Sequence, residues 1–445
     1  MARRSPKRCR TAFATALHAM APWLLTAPAV SLSSSRITHT LQAPIQLAVI
    51  GGGPAGLRAA EVAACAGLRV SLFDAKPTAG RKLLVAGRGG INLTNTEQPA
   101  RFVSRYSGPD QPAGIWREML TEFAADDLRA WAAGLGVETF RAATGRVYPL
   151  ELKAAPLLRA WLRHLRELGV RLAMNHRWTG MAPGAPHRLE FSNGNAVMAD
   201  AVIFALGGAS WPRTGSDGAW TPVFESLGIA CHELVPANCG WEHPWPPEIL
   251  AAAEGKPIKN ISASAGDTTV AGELLVTRYG LEGGIIYQLG PALRAMDQPA
   301  IAIDFKPTFS HAQLVAKMQS VRRDFLSEAG IRWRLGEAAR ALLSNKPWPD
   351  AESLAREVKH HQIPLAGPRP IGEAISSAGG VCWHGLDDSL MVRSHPGVFV
   401  AGEMIDWEAP TGGYLMQGCL ATGTRAGRAA AAWLASHSPE DRLIP

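Results

Sequence analysis

A mixed α/β fold organised around a parallel sheet follows from three features of this chain. A short apolar strand, Leu47-Ala48-Val49-Ile50, runs straight into Gly51-Gly52-Gly53-Pro54-Ala55-Gly56, the G-x-G-x-x-G spacing that opens a helix. A second strand, Arg69 to Phe73, ends on Asp74, at the distance of about 20 residues expected for a ribose-binding acid. A third, Ala201 to Ala205, is wholly apolar and stops at Gly207-Gly208, as suits a strand buried on both faces of a parallel sheet.

The first turn predicts a dinucleotide. Gly51 permits the tight bend, Gly53 lets backbone approach a pyrophosphate, and Gly56 brings the helix close to the sheet. Pro54 and Ala55 open that helix, whose free N-terminal amides meet the phosphate charge. Asp74, with Ala75 beside it, is placed to accept hydrogen bonds from an adenosine ribose, and an acid there suits FAD or NAD better than NADP. A turn that serves packing alone is the plainer alternative.

With 445 residues, 47% of them hydrophobic, the chain can bury two or three cores. Of the net charge of +7, six positive charges and no acid fall within residues 1–45, leaving the remainder near +1. That balance gives no basic face for nucleic acid, so none is expected as a partner. Residues 1–44 are expected to lie outside the fold. Their basic start and the apolar run Ala12–Val30, interrupted by His18, Pro22 and Pro28, fit a start-site extension, an export signal or an organellar transit segment, and fall short of the roughly 20 apolar residues of a membrane span. The six cysteines are scattered without C-x-x-C, which excludes a dithiol reductase and a zinc ribbon and suits the cytoplasm. The 13 histidines show no metal-binding spacing, so no metal is expected.

After Asp74, Gly80 to Asn95 reads as a loop rich in glycine. Helices follow at Trp116–Leu135 and Ala154–Leu168, the latter with an apolar stripe through Leu158, Trp161 and Leu165. Strands at Val170–Met174 and His187–Phe191, with an Asn193-Gly194 turn, lead back to the sheet. From 216 to 371 the texture changes to short strands punctuated by Gly and Pro, with a helical piece at about 308–345, which reads as an inserted substrate domain, part barrel-like. The sheet resumes at Gly397–Glu403, and a last helix covers Gln417–Leu434. Residues 45–215 and 372–437 thus form a discontinuous cofactor domain. Only one fingerprint follows a strand, which makes FAD the resident cofactor and NADH or NADPH at most a transient donor.

Several runs resemble the BaiN-like flavoproteins, a family of NAD(P)/FAD-dependent oxidoreductases also called aminoacetone-oxidase-like. They are Gly80-Arg81-Lys82-Leu83-Leu84 with Ala86 to Asn95, Gly145 to Pro149, Ala205 to Pro212, Val276 to Gly280, Ala401 to Asp406 and Thr411 to Tyr414. The resemblance spans residues 45–435 and implies a glutathione-reductase-like FAD/NAD(P)-binding Rossmann-type domain interrupted by a small β-barrel plus helical subdomain. Where the broad family commonly reads Ser-Gly-Gly-Gly-Arg-Cys-Asn, this chain has Ala86-Gly87-Arg88-Gly89-Gly90-Ile91-Asn92, without that Arg and Cys. Its substrate is therefore left open.

On this reading Arg81 and Lys82 supply charge near the cofactor, Gly87, Gly89 and Gly90 let backbone pass close to a flavin ring, and Asn92, Thr94 and Asn95 bond its polar edge. Gly207, Gly402 and Glu403 lie along the cofactor, and Gly412, Gly413, Tyr414 and Leu415 begin a helix whose amides stabilise charge on the reduced ring. Tyr148, Tyr279 and Tyr414 are the candidate proton donors, each equally a half-buried core tyrosine, and Arg213 and Arg278 are candidates to hold a carboxylate or enolate. The function expected is hydride transfer through flavin N5 to a small organic substrate with an activated double bond. The alternatives are an amine-type flavin oxidase, an RNA-modifying flavoprotein and a nucleotide-binding protein without turnover.

Overall fold

The computed structural model describes residues 45–86 and 89–437; the expected leader and Gly87 lie outside the described residues. Five parallel strands carry the fold: β1 (Ile45–Ile50), β2 (Val70–Phe73), β3 (Arg171–Ala173), β4 (Ala196–Phe204) and β5 (Val398–Val400). Their order across the sheet is β3-β2-β1-β4-β5, with Leu47 opposite both Val70 and Ala201. An antiparallel hairpin, Trp178–Ala182 with His187–Phe191, extends the sheet from the first half of β4.

β1 lacks polar residues from Leu47 on because both its faces are covered, one by a core around Trp116, Phe204 and Trp407, the other by helix packing. That helix layer holds α1 (Pro54–Cys65) and α2 (Tyr414–Ser436). They touch backbone to backbone: a Cβ on Gly423 would stand 2.4 Å from the Ala55 carbonyl oxygen, and one on Gly427 2.8 Å from that of Ala59. Glycine is required at this crossing for lack of room.

A second, antiparallel sheet occupies residues 241–368 and buries its own core. Its end strands, His361–Pro364 and Gly367–Pro368, are separated by two residues in the chain, so the sheet curls until its ends meet, as the barrel-like reading expects. The segment before it, with helix Thr221–Ser226 and strand Cys231–Ala237, instead buries Trp220, Phe224 and Ile229 in the first core.

Three expectations need correction. The helical piece at 308–345 consists of short helices, His311–Ala316, Phe325–Arg332 and Glu337–Leu342, interrupted where Asp324 and Arg334 take φ of 55° and 52°. The stretch 116–135 is two helices, Ile115–Glu122 and Ala125–Gly134, because the carbonyl of Phe123 between them turns to accept a hydrogen bond from Gln417 at 2.6 Å. The loop 80–95 contains a helix, Arg81–Ala86, and a short strand, Thr94–Asn95, which pairs with Arg146–Pro149. Among the described residues no helix is long and apolar enough to cross a membrane.

Candidate cofactor groove and adjoining cleft

The C-terminal ends of β1, β2, β4 and β5 open into a groove of about 980 Å³, the place where open α/β sheets bind ligands. The three fingerprint glycines serve it in different ways. Gly51 has φ of 110°, and a Cβ there would lie 2.2 Å from the Ala205 carbonyl oxygen; at Gly56 it would lie 1.9 Å from that of Gly51. A Cβ on Gly53 would meet nothing within 4 Å. So two glycines are demanded by the protein itself, while the third faces open space. Gly53 caps α1 without a side-chain hydrogen bond, leaving the leading amides for an anion.

Asp74 stands at the end of β2 on the same groove. Its Oδ2 accepts the Gly52 amide at 2.7 Å and its Oδ1 that of Lys76 at 2.7 Å. Each oxygen keeps a lone pair for a hydroxyl. Burial lifts this carboxyl above its ordinary range, against the pull of the two amides. Sequence reasoning missed the rest of this end: Phe73, His176, Arg177, Trp178, Asp217 and Trp220. Arg177 is paired with Asp217 at 2.7 Å, and the Trp178 Nε1 is buried without an acceptor. Their positions just after β3 and after Gly207-Gly208 carry no motif that would have singled them out.

Further along, Lys82 reaches across the groove. Its Nζ donates to Glu403 Oε2 at 2.7 Å and to Ser210 Oγ at 2.6 Å, and Glu403 Oε1 accepts the Ser377 amide at 3.0 Å. The two opposite charges expected along the cofactor thus neutralise each other. Pro54, Ala55, Ala75, Arg81, Gly207 and Gly402 line the groove as well.

Of the remaining predicted residues, Thr94 and Asn95 meet Gly412 and Gly413 at the start of α2, and none of these lines the groove. A Cβ on Gly413, φ 102°, would lie 2.4 Å from the Thr94 carbonyl oxygen, and Asn95 Nδ2 donates to the Gly412 carbonyl at 3.4 Å. Gly89 is exposed, Leu415 packs on the first core, and the Tyr148 ring faces Gly90, 3.7 Å from where its Cβ would stand. Asn92 Oδ1 and Thr94 Oγ1 are buried with no hydrogen-bond partner. Such orphans are uncommon in folded proteins and mark places for a polar ligand. With the open Gly53 cradle, the spare lone pairs of Asp74 and the bare start of α2, they fit an extended dinucleotide.

The tyrosines are dispersed. Tyr414 donates to Glu97 Oε2 at 2.6 Å, and Glu97 is clasped by Arg105 at 2.6 and 2.9 Å. Arg105 holds Glu97 below the usual carboxylate range, while burial and then Glu97 push the Tyr414 hydroxyl up. Tyr279 donates to Glu282 in the second sheet under the Arg369 guanidinium, and Tyr148 stacks on Phe140 at 5.7 Å. Arg213 and Arg278 are exposed and line neither cavity described here. A separate cleft of about 1020 Å³ lies where the two cores meet, lined by Arg105, Asn238 and Glu408 from one side and Thr268, Tyr287 and Gln288 from the other.

Two relatives resemble the chain over nearly their whole length. It is 27% identical over 411 residues to the 3-dehydro-bile acid delta(4,6)-reductase of Clostridium scindens, covering 87% of this chain and 99% of that protein. It is 22% identical over 384 residues to the ribosomal RNA dihydrouridine synthase of Escherichia coli, covering 83% and 94%. A flavocytochrome c3 fumarate reductase of known structure, 17% identical, shares the fold with a TM-score of 0.50 over 88% of this chain and 79% of its own. The resemblance read from the glycine loop and the last strand is borne out: over residues 45–429 the chain belongs to the HI0933-like protein Rossmann domain family.

Proposed function

We propose that this chain is an FAD-dependent oxidoreductase that reduces an activated carbon–carbon double bond of a small organic substrate held in the cleft beside the groove. One observation carries the reading. The groove combines an unobstructed Gly53, a helix start free of side-chain caps, and an aspartate with both oxygens still able to accept. FAD, when bound, supplies the hydride. The chain's residues hold it: Gly53 and the α1 amides the pyrophosphate, Asp74 the ribose, the Lys82–Glu403 pair and Gly402 the middle, and Asn92, Thr94 and the start of α2 the ring. The reductase relatives support this direction of transfer. A nicotinamide dinucleotide is the proposed transient donor and the cytoplasm the proposed location. We further propose residues 45–215 and 372–437 as the cofactor domain and the expected insert 216–371 as the substrate domain from about residue 241 on, since its first part, with Trp220, Phe224 and Ile229, packs into the cofactor domain's core.

Titration of the purified protein with FAD tests the reading directly. A stoichiometric yellow complex that NADH or NADPH bleaches anaerobically is expected, and a correctly folded protein that stays colourless with excess FAD sinks it. Rapid reoxidation by air with peroxide formed, and none by an enone, would favour the oxidase instead.

A second reading is favoured by the match to the ribosomal RNA dihydrouridine synthases. Here the reduced double bond belongs to a uracil ring within RNA. RNA that co-purifies, or binds at low salt and is released as salt rises, would select this reading over the small-molecule one.

A further inference from the structure

Reducing a double bond conjugated to a carbonyl requires a hydride at one carbon and a proton at its neighbour, so a positioned acid must face the substrate. The chain has five tyrosines. Three of them already give their hydroxyl proton to the protein: Tyr106 to the Tyr414 carbonyl, Tyr279 to Glu282 and Tyr414 to Glu97. Tyr148 lines neither the groove nor the cleft. Tyr287, on the helix Gly284–Arg294, lines the cleft half-buried, and among the described residues its hydroxyl is donated to no acceptor.

We propose that Tyr287 is the acid that protonates an α,β-unsaturated carbonyl substrate in this cleft, a proposal that rests on the functional reading above. Side-chain contacts link the cleft to the proposed ring site at the start of α2 and to the groove. Gln288 accepts from Arg105 Nη1 at 3.5 Å, and Arg105 lies 5.7 Å from the centre of the Tyr414 ring at the start of α2. On the other side Asn238 Nδ2 donates to Ser376 Oγ at 2.8 Å, and the next residue, Ser377, gives its amide to Glu403 in the groove. The environment of the hydroxyl suits an acid that must be recharged. Burial, then Glu282, push it up to about 12, so it carries its proton throughout the neutral range. The Gly283 amide acts in the opposite sense and stabilises the phenolate left behind, aided by the helix start.

In the step, the Tyr287 O–H bond breaks and a C–H bond forms at the carbon next to the carbonyl. The electron pair comes from the double bond, displaced when the other carbon takes the hydride. The phenolate regains a proton from water at the cleft mouth. A reduced nicotinamide dinucleotide replaces the two electrons spent.

The experiment photoreduces FAD-loaded wild type and Tyr287→Phe without oxygen, then follows reoxidation by 2-cyclohexen-1-one and, separately, by dioxygen. FAD content and melting temperature report the fold of each. With the enone, Tyr287→Phe should be about 10²-fold slower, its half-saturating concentration shifting by no more than about twofold. Dioxygen, which protonates no carbon, should reoxidise both alike. The residual enone rate of the variant should climb as pH falls, while the wild type stays flat across neutral pH. Wild-type speed with the enone in Tyr287→Phe overturns the proposal. A check without any variant runs the wild type in D2O: deuterium on one face of the α-carbon is expected, and deuterium on both faces overturns it. If the wild type binds no FAD, or its reduced form is not reoxidised by the enone, the functional reading fails first and the proposal falls with it.

Discussion

The groove and the cleft are made of different material. The groove's Gly53 end is backbone: six consecutive residues at one strand–helix turn, with Asp74 at the next strand end. The cleft is side chains drawn from segments near residues 105, 238, 268, 287 and 408. Backbone sites depend on conformation, which few residues can supply; side-chain sites depend on identity, which a single substitution can change without disturbing the fold. On the proposed reading, this contrast suits the groove to a common cofactor and the cleft to setting substrate choice.

The largest expected effect separates two glycines three positions apart. Gly56→Ala forces a Cβ to within 1.9 Å of backbone, and relief requires α1 to move off the sheet. It should lose about 3 kcal/mol or more in urea unfolding and lose FAD as a consequence. Gly53→Ala meets nothing, so stability should stay within about 1 kcal/mol while FAD affinity drops by about 10²-fold, because the methyl occupies the pyrophosphate's approach. Calorimetric FAD titration of both variants checks this. Unaltered FAD binding by Gly53→Ala would mean that the backbone groove is not the phosphate site, and the comparison with the cleft would collapse.

This division also explains what could be read in the amino-acid order. The sheet and its first turn were legible because glycine spacing and apolar runs are local signals of backbone geometry: β1, β2, β4 and β5 lie where the apolar segments place them. Asp74 was legible for the same reason, as a fixed offset along one β-α-β unit. The helix Arg81–Ala86 was hidden because it is one and a half turns long between glycines, too short to show a period. The Glu97–Arg105–Tyr414 clasp and the Lys82–Glu403 pair join residues up to 321 positions apart, and no local pattern records such a distance. Tyr287 sits in an ordinary-looking helix, and only the fold shows that this residue lines a cavity.

A smaller effect is expected where the groove itself changes from backbone to side chain. The Lys82–Glu403 pair is mostly buried, with side chains 26% and 12% exposed. Lys82→Met leaves Glu403 unpaired and should cost about 2 kcal/mol of stability. If the bound ring lies nearby, the uncompensated carboxylate should also lower the flavin midpoint potential, by on the order of tens of mV, and Glu403→Gln should raise it. Dye-equilibrated reduction measures both. Shifts of the same sign in the two variants would show that the pair acts through structure alone, and would move this stretch of the groove to the backbone side of the comparison.

The smallest effect sharpens the contrast by pH. Burial raises the Asp74 carboxyl in the folded protein, so this group favours folding most when protonated, below its unfolded pKa, and that contribution disappears as pH rises through the folded value. Ribose hydroxyls require the opposite form, since they donate to a carboxylate. FAD affinity should therefore weaken as pH falls through the raised value, and bound FAD should draw that value back down. Asp74→Asn should bind FAD about tenfold more weakly at neutral pH, having lost a charged acceptor, and should show no such decline between about pH 4 and 7. The measurement is FAD dissociation followed by fluorescence across that range. Phosphate contacts through the α1 amides do not titrate there, so an undiminished acid decline in Asp74→Asn would locate the sensitive group elsewhere, and would shift the ribose contact from this side chain to the backbone around it.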